Sequence, residues 1–183
     1  MTFTVDWFTG YIPSWKNIFE KNGRPMNVLE IGSFEGRSTC WILENTEAHV
    51  TCVDTWEGSP EHTDEEKNNL YSRFMENIEC YKDRVTILRG ESGVIVRQIP
   101  CETKFDFIYI DGSHYSQDVL EDAVLSWRLL SPGGILIFDD YCWCVGGTDI
   151  LDLRNPRRGI QSFVKVYEPE ILHIGQQLIV KKK

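Results

Sequence analysis

Val28-Leu29-Glu30-Ile31-Gly32-Ser33-Phe34-Glu35-Gly36-Arg37-Ser38 carries an apolar run into a helix through a turn bounded by two glycines. A second apolar run, 50–53, ends in Asp54. Buried parallel strands read as near-continuous apolar runs rather than as alternating ones. The two segments therefore predict adjacent strands whose carboxyl ends bring together a tight turn, a helix N-terminus and two carboxylates, Glu30 and Asp54. Open α/β sheets bind nucleoside cofactors at that edge.

Working outward, strand-like runs recur at 27–31, 49–53, 84–88, 105–110 and 134–138, with helical patterns near 36–45, 65–80, 91–98 and 115–130. In the last of these, Val119, Leu120, Ala123, Trp127 and Leu130 share a face, and Ser131-Pro132-Gly133-Gly134 stops it. Strand-helix repetition gives a right-handed parallel sheet with helices on both faces. Residues from Ile160 to Tyr167 read as a helix, and 171–174 with 177–180, flanking Gly175-Gln176, as a β-hairpin. The predicted fold is α/β: a Rossmann-like, doubly wound, seven-stranded sheet, mostly parallel, with a C-terminal antiparallel hairpin. One domain is expected over 1–183, with an N-terminal helical or lid segment (1–25), a cofactor-binding core (26–141) and an acceptor loop, helix and hairpin (142–183). Trp7, Phe8, Tyr11 and Trp15 stand at roughly helical spacing, which suits a helix packing its aromatics on the core better than a lid over a ligand.

The 183 residues suffice for a full core, and the composition (42% hydrophobic, 26% charged) is that of a globular protein. A net charge of −9 argues against a nucleic-acid partner, because nothing would supply the counterion release that drives such binding. No apolar stretch approaches a membrane span, and the first residues lack a signal peptide's basic and apolar regions, so a cytoplasmic protein is expected. The six cysteines are scattered, which fits reduced thiols better than a disulfide framework. Cys142-Trp143-Cys144 has no second pair at zinc-finger spacing.

The loop reads Glu-x-Gly-x-Phe-x-Gly-x-Ser and not Gly-x-Gly-x-x-Gly, so Phe34 crowds the path of a dinucleotide pyrophosphate. A phosphate-free nucleoside cofactor, S-adenosylmethionine, fits better. Gly32, Ser33, Phe34, Gly36 and Ser38 would let the backbone approach its amino-acid end. Glu30 would act near the methionine end and Asp54 on the ribose hydroxyls. Gly90, Glu91 and Ser92 follow the third strand, where an adenine would lie. Trp56 would either stack on that adenine or close the strand end.

These segments, with Phe105–His114 and 130–141, resemble the class I S-adenosylmethionine-dependent methyltransferases. They are most similar to the small O-methyltransferases of the catechol and caffeoyl-CoA type and the macrolide-sugar type, which carry an aromatic residue at the Phe34 position. The resembling residues span roughly 26–141. The resemblance implies that Asp111, also expected beside the cofactor, joins Asp139 and Asp140 as ligands of a Mg²⁺ ion. It implies too that His114 holds the place of the general base, a lysine in the catechol type and a histidine in the sugar type. Asp111 and His114 are then the catalytic candidates, and the acceptor is a hydroxyl on a small molecule or glycan. In the plain structural alternative, Asp111 and Asp139 cap helices or bond loop amides, and His114 caps the helix that follows it. The segment 142–158, with Trp143, Gly146-Gly147, Asp152, Arg154, Arg157 and Arg158, is where acceptor-binding insertions sit in this fold. A catalytically silent cofactor-binding partner subunit and an NAD-dependent oxidoreductase are the competing readings. The sequence leaves oligomeric state open, a homodimer being the form considered.

Overall fold

Strand β1 (Asn27–Ile31) lies inside the sheet because both of its faces are apolar: Val28, Leu29 and Ile31 are buried, and Glu30 is its one buried charge. The computed structural model describes residues 1–59, 62–143 and 153–183. Around β1 are strands β2 (His49–Asp54), β3 (Val85–Arg89), β4 (Phe105–Ile110), β5 (Leu130–Phe138), β6 (Glu170–Ile174) and β7 (Leu178–Lys181). The seven strands run β3-β2-β1-β4-β5-β7-β6 across the sheet. The pairings from β3 to β5 are parallel, while β7 pairs antiparallel with both β5 and β6. The order reverses at β1, where the chain crosses to β4. That makes the β1–β4 edge the switch point, at which a crevice opens outside the strand ends.

Helices α1 (Ile12–Asn22), α2 (Arg37–Asn45) and α4 (Leu70–Ile78) cover one face, and α5 (Ser92–Gln98), α6 (Ser116–Trp127) and α7 (Pro156–Tyr167) the other. The first core gathers Trp15, Trp41, Phe74 and Phe107; the second gathers Phe138, Phe163, Ile108 and Leu136. Close approach of α6 and α7 needs Gly159, since a Cβ there would stand 2.2 Å from the Ser116 carbonyl oxygen. Among the described residues no helix is long and apolar enough to cross a membrane.

Three local expectations change. The segment 65–80 is not one helix: α3 (Asp64–Lys67) and α4 are separated by Asn69 in the left-handed region (φ +56°), and 79–84 continues as a 3-10 helix. Ser131-Pro132-Gly133-Gly134 does not precede β5 but lies in it, since Gly133 N–H donates to Lys182 O and Lys182 N–H to Gly134 O, which hold the breaker residues extended. At the start of the chain the helix begins only at Ile12. Phe8 and Trp15 are buried against Trp41, while Trp7 is 58% exposed.

Candidate active site

The glycine loop is shaped from below by two carboxyls. Gly32 (φ +86°) passes so close to the turn after β4 that a Cβ would lie 2.0 Å from the Asp111 carbonyl oxygen, which only glycine avoids. Phe34 also takes a left-handed conformation (φ +48°), which costs an L-residue roughly 1–2 kcal/mol. Asp54 offsets that cost: one of its oxygens accepts from the amides of both Ser33 and Phe34 at 2.8 Å, and the other from Trp56 N–H at 2.7 Å. The expected ribose acceptor is thus bonded to the loop itself. Trp56 is 4% exposed with its ring against Tyr71 and Phe74, and its Nε1–H donates to Phe34 O (3.0 Å). It closes the end of β2 and turns no face to the cleft.

Glu30 is fully buried beneath the loop. Its carboxyl accepts from Ser33 Oγ (2.7 Å), Ser38 Oγ (2.5 Å) and the Thr39 hydroxyl. Burial pushes its pKa up, and these hydroxyls oppose the rise. Gly36 (φ +80°) precedes α2, and its N–H closes the turn onto Ser33 O. On the other side of β2, Gly90 N–H donates to Asp54 O, and the Glu91 carbonyl receives Val94 and Ile95 as α5 begins at Ser92.

At the ends of β4 and β5 the acids meet. Tyr109 OH lies between Asp111 (2.9 Å) and Asp139, with its single hydrogen for one of them and an oxygen that accepts from the other when that acid is protonated. Asp139 also accepts from Gln177 Nε2 (3.1 Å), whose amide oxygen takes Trp15 Nε1–H (2.8 Å). Desolvation and the neighbouring carboxylates push the pKa of Asp111 well above the usual carboxylate range and raise that of Asp139, so the pair resists carrying two negative charges. Burial and the same three acids raise the Tyr11 phenol, which reaches them from the residue before α1. Asp140, left-handed at φ +56°, turns away from this pair and meets His114 Nε2 at 2.7 Å. The His114 ring packs at a tilt of 37° on Trp143, with centroids 4.1 Å apart. An imidazole held by a carboxylate in this way is the arrangement of a base oriented by an acid.

The expected Mg²⁺ set does not fit this arrangement. Asp111 and Asp139 converge on the Tyr109 hydroxyl while Asp140 faces His114, and among the described residues no group of three or more His, Cys, Asp or Glu is disposed to hold a metal ion.

Residues 29–141, from β1 through the glycine loop to the turn after β5, match a family described as a methyltransferase domain. The chain belongs to that methyltransferase family. An O-methyltransferase of Aspergillus hancockii, hkm8, is 30% identical over 127 residues, covering 69% of this chain and 47% of the fungal protein. An uncharacterized protein of Acanthamoeba polyphaga mimivirus, R132, is 28% identical over 68% of this chain and 55% of its own length. The chain thus spans about half the length of these curated relatives. Its fold is similar to that of an O-methyltransferase from Bacillus cereus solved with S-adenosylhomocysteine (TM-score 0.68, 23% identity, 98% of this chain and 84% of that one). It is similar also to TomG of Streptomyces achromogenes, solved with S-adenosylmethionine (TM-score 0.62, 18% identity, 93% and 80%).

Several residues of the acid cluster escaped sequence reasoning. Tyr109 had a signal, since residues two apart on a strand share a face and Tyr109 precedes Asp111 by two. Nothing in the sequence joined Gln177, Trp15 and Tyr11 to the acids: Gln177 lies in the hairpin turn, and Trp15 on α1 and Tyr11 just before it read only as aromatics packing on the core. His62, given no role from sequence, packs against Phe34 and Trp7. His49 meets Thr86 Oγ1 across β2 and β3. Cys144, Gly146-Gly147 and Asp152, singled out with the acceptor segment, lie outside the described residues, as do Pro60 and Glu61.

Proposed function

We propose that the methyltransferase moves the methyl group of S-adenosylmethionine to a hydroxyl oxygen of a small molecule or sugar, with His114 as general base. The observation that carries this reading is the 2.7 Å His114–Asp140 pair at the switch-point edge of a methyltransferase-domain sheet. In the reaction an oxygen lone pair attacks the methyl carbon in line. The carbon–sulfur bonding pair returns to sulfur, and the hydroxyl proton passes to His114, leaving a methyl ether and S-adenosylhomocysteine. An alcohol is a poor nucleophile until a base takes its proton, and positioned bases contribute roughly 10²–10⁴-fold. Asp140 orients the imidazole and stabilises the imidazolium that forms.

The loop residues Gly32, Ser33, Phe34, Gly36 and Ser38 would line the methionine end of the cofactor. Glu30 serves them from beneath, and Asp54 is the nearest acid to a ribose once its loop amides are shared. Gly90, Glu91 and Ser92 would border the adenine. Asp111 and Asp139, joined through Tyr109, would form the polar border of the site near the acceptor. The names of the relatives support this reading: hkm8 is an O-methyltransferase, and the B. cereus and TomG structures are O-methyltransferases that hold the product and the cofactor.

The test is formation of S-adenosylhomocysteine from S-adenosylmethionine over a panel of hydroxyl compounds. On an acceptor so found, His114→Ala lowers kcat by about 10²-fold or more while S-adenosylhomocysteine binds within about twofold of wild type. Full turnover by that variant would remove His114 from the reaction. Tight cofactor binding with no acceptor methylated across the panel would favour the silent partner subunit.

A further inference from the structure

The glycine loop has a second side. Away from the strand ends it is bonded along its length to the first nine residues. Glu35, 1% exposed at the loop's middle, accepts from both Thr4 N–H (2.7 Å) and Thr4 Oγ1 (2.6 Å). Arg73 Nε lies 2.6 Å from the same carboxylate, a close ion pair whose N–H is not aligned as a hydrogen bond. The Glu35 carbonyl accepts from Asn77 Nδ2 (2.9 Å), and Asn77 in turn pairs with the Thr2 backbone in both directions (2.7 and 2.9 Å). On either side, Phe34 packs its ring on Trp7 at 5.4 Å, and Arg37 donates to Thr9 Oγ1 (2.7 Å) beside Asp6.

These contacts make the shape of the loop and the docking of the strap conditional on one another. A buried carboxylate that loses hydrogen-bond donors retains its desolvation cost without compensation. If residues 2–9 lift away, Glu35 keeps only Arg73, and the left-handed Phe34 loses Trp7. A ligand that fixes the loop from within therefore favours the docked strap, and by reciprocity the docked strap favours the ligand.

We propose that Glu35 is a positioning residue that couples cofactor occupancy of the glycine loop to docking of residues 2–9. The proposal rests on the reading of that loop as the S-adenosylmethionine site. Glu35 touches no reacting atom; it acts through the backbone of Phe34 and Gly36.

The experiment uses the whole chain with S-adenosylhomocysteine as probe, reading amide hydrogen exchange and the Kd by titration. In wild type, saturating ligand slows exchange across residues 2–9 at least fivefold. Thr4→Val removes one donor from an exposed position; its Kd rises at least threefold and ligand protection of 2–9 shrinks. Glu35→Gln weakens binding tenfold or more, and if it fails to fold, Thr4→Val decides alone. A merely structural clamp would lower the melting temperature of Thr4→Val and leave the Kd and the ligand-dependent exchange unmoved. Either unchanged readout, with wild type binding the ligand, overturns the coupling. Absence of binding to wild type is a different failure: it sinks the loop as cofactor site, and the coupling with it.

Discussion

Asp122 shows at the residue scale what the fold tolerates near its site. It lies on α6 behind the turns that carry Ser92 and Gly112, is 1% exposed, and its Oδ2 has no hydrogen-bond partner. Burial pushes its pKa up to about 7, Asp118 and Glu121 add to the rise, and a hydrogen bond with Ser92 opposes it. A carboxyl whose folded pKa is raised stabilises the fold below its unfolded value near 3.8 and loses that contribution as pH climbs through the folded one. Stability should therefore decline between roughly pH 4 and pH 7, by an amount on the order of a few kcal/mol, and level off above. Asp122→Asn removes the charge and should flatten that part of the profile, with its largest gain over wild type at pH 8. Urea unfolding at pH 5 and pH 8 measures it, and parallel wild-type and variant profiles would show that Asp122 is not the titrating group.

At the scale of elements, α1 and the β6–β7 hairpin, far apart in sequence, build one floor under the acids. Trp15 is fully buried, edge-on to Tyr109 and Phe107, and its indole N–H holds Gln177, which holds Asp139. Trp15→Phe keeps most of the apolar contact and strands the Gln177 amide oxygen, a loss of about 1–3 kcal/mol in chemical denaturation. An unchanged denaturation midpoint would mean that the amide finds another donor. The five parallel strands and the glycine turn were legible because apolar runs, glycines and acids repeat locally. Helix α4 was misread as part of a longer helix because the left-handed break at Asn69 leaves no proline or glycine to mark it. The acids Asp111, Asp139 and Asp140 were legible as neighbours from strand order. Their partition, two on Tyr109 and one on His114, was not, since it depends on side-chain directions at the turn after β5.

At the scale of the whole molecule, the family is carried by the same edge that the sequence pointed to, and the dinucleotide alternative meets Phe34 standing over the loop. As its carboxyls are disposed, methyl transfer on an identified acceptor should persist in EDTA. Turnover abolished by EDTA and restored by Mg²⁺ would mean that Asp111, Asp139 and Asp140 regroup around a cation. The resemblance to metal-assisted methyltransferases made three acids look like one ligand set; their hydrogen bonds divide them.

The antiparallel insertion of β7 between β5 and β6 has a consequence for synthesis. A ribosome delivers β5 and Asp139 well before Leu178–Lys181, so the nascent sheet waits with the β5 edge unpaired and Asp139 without its Gln177 donor. The glycine loop and its strap, made of early residues, can close long before that. Birth order therefore separates two maturation events, an early glycine loop and a late acid floor.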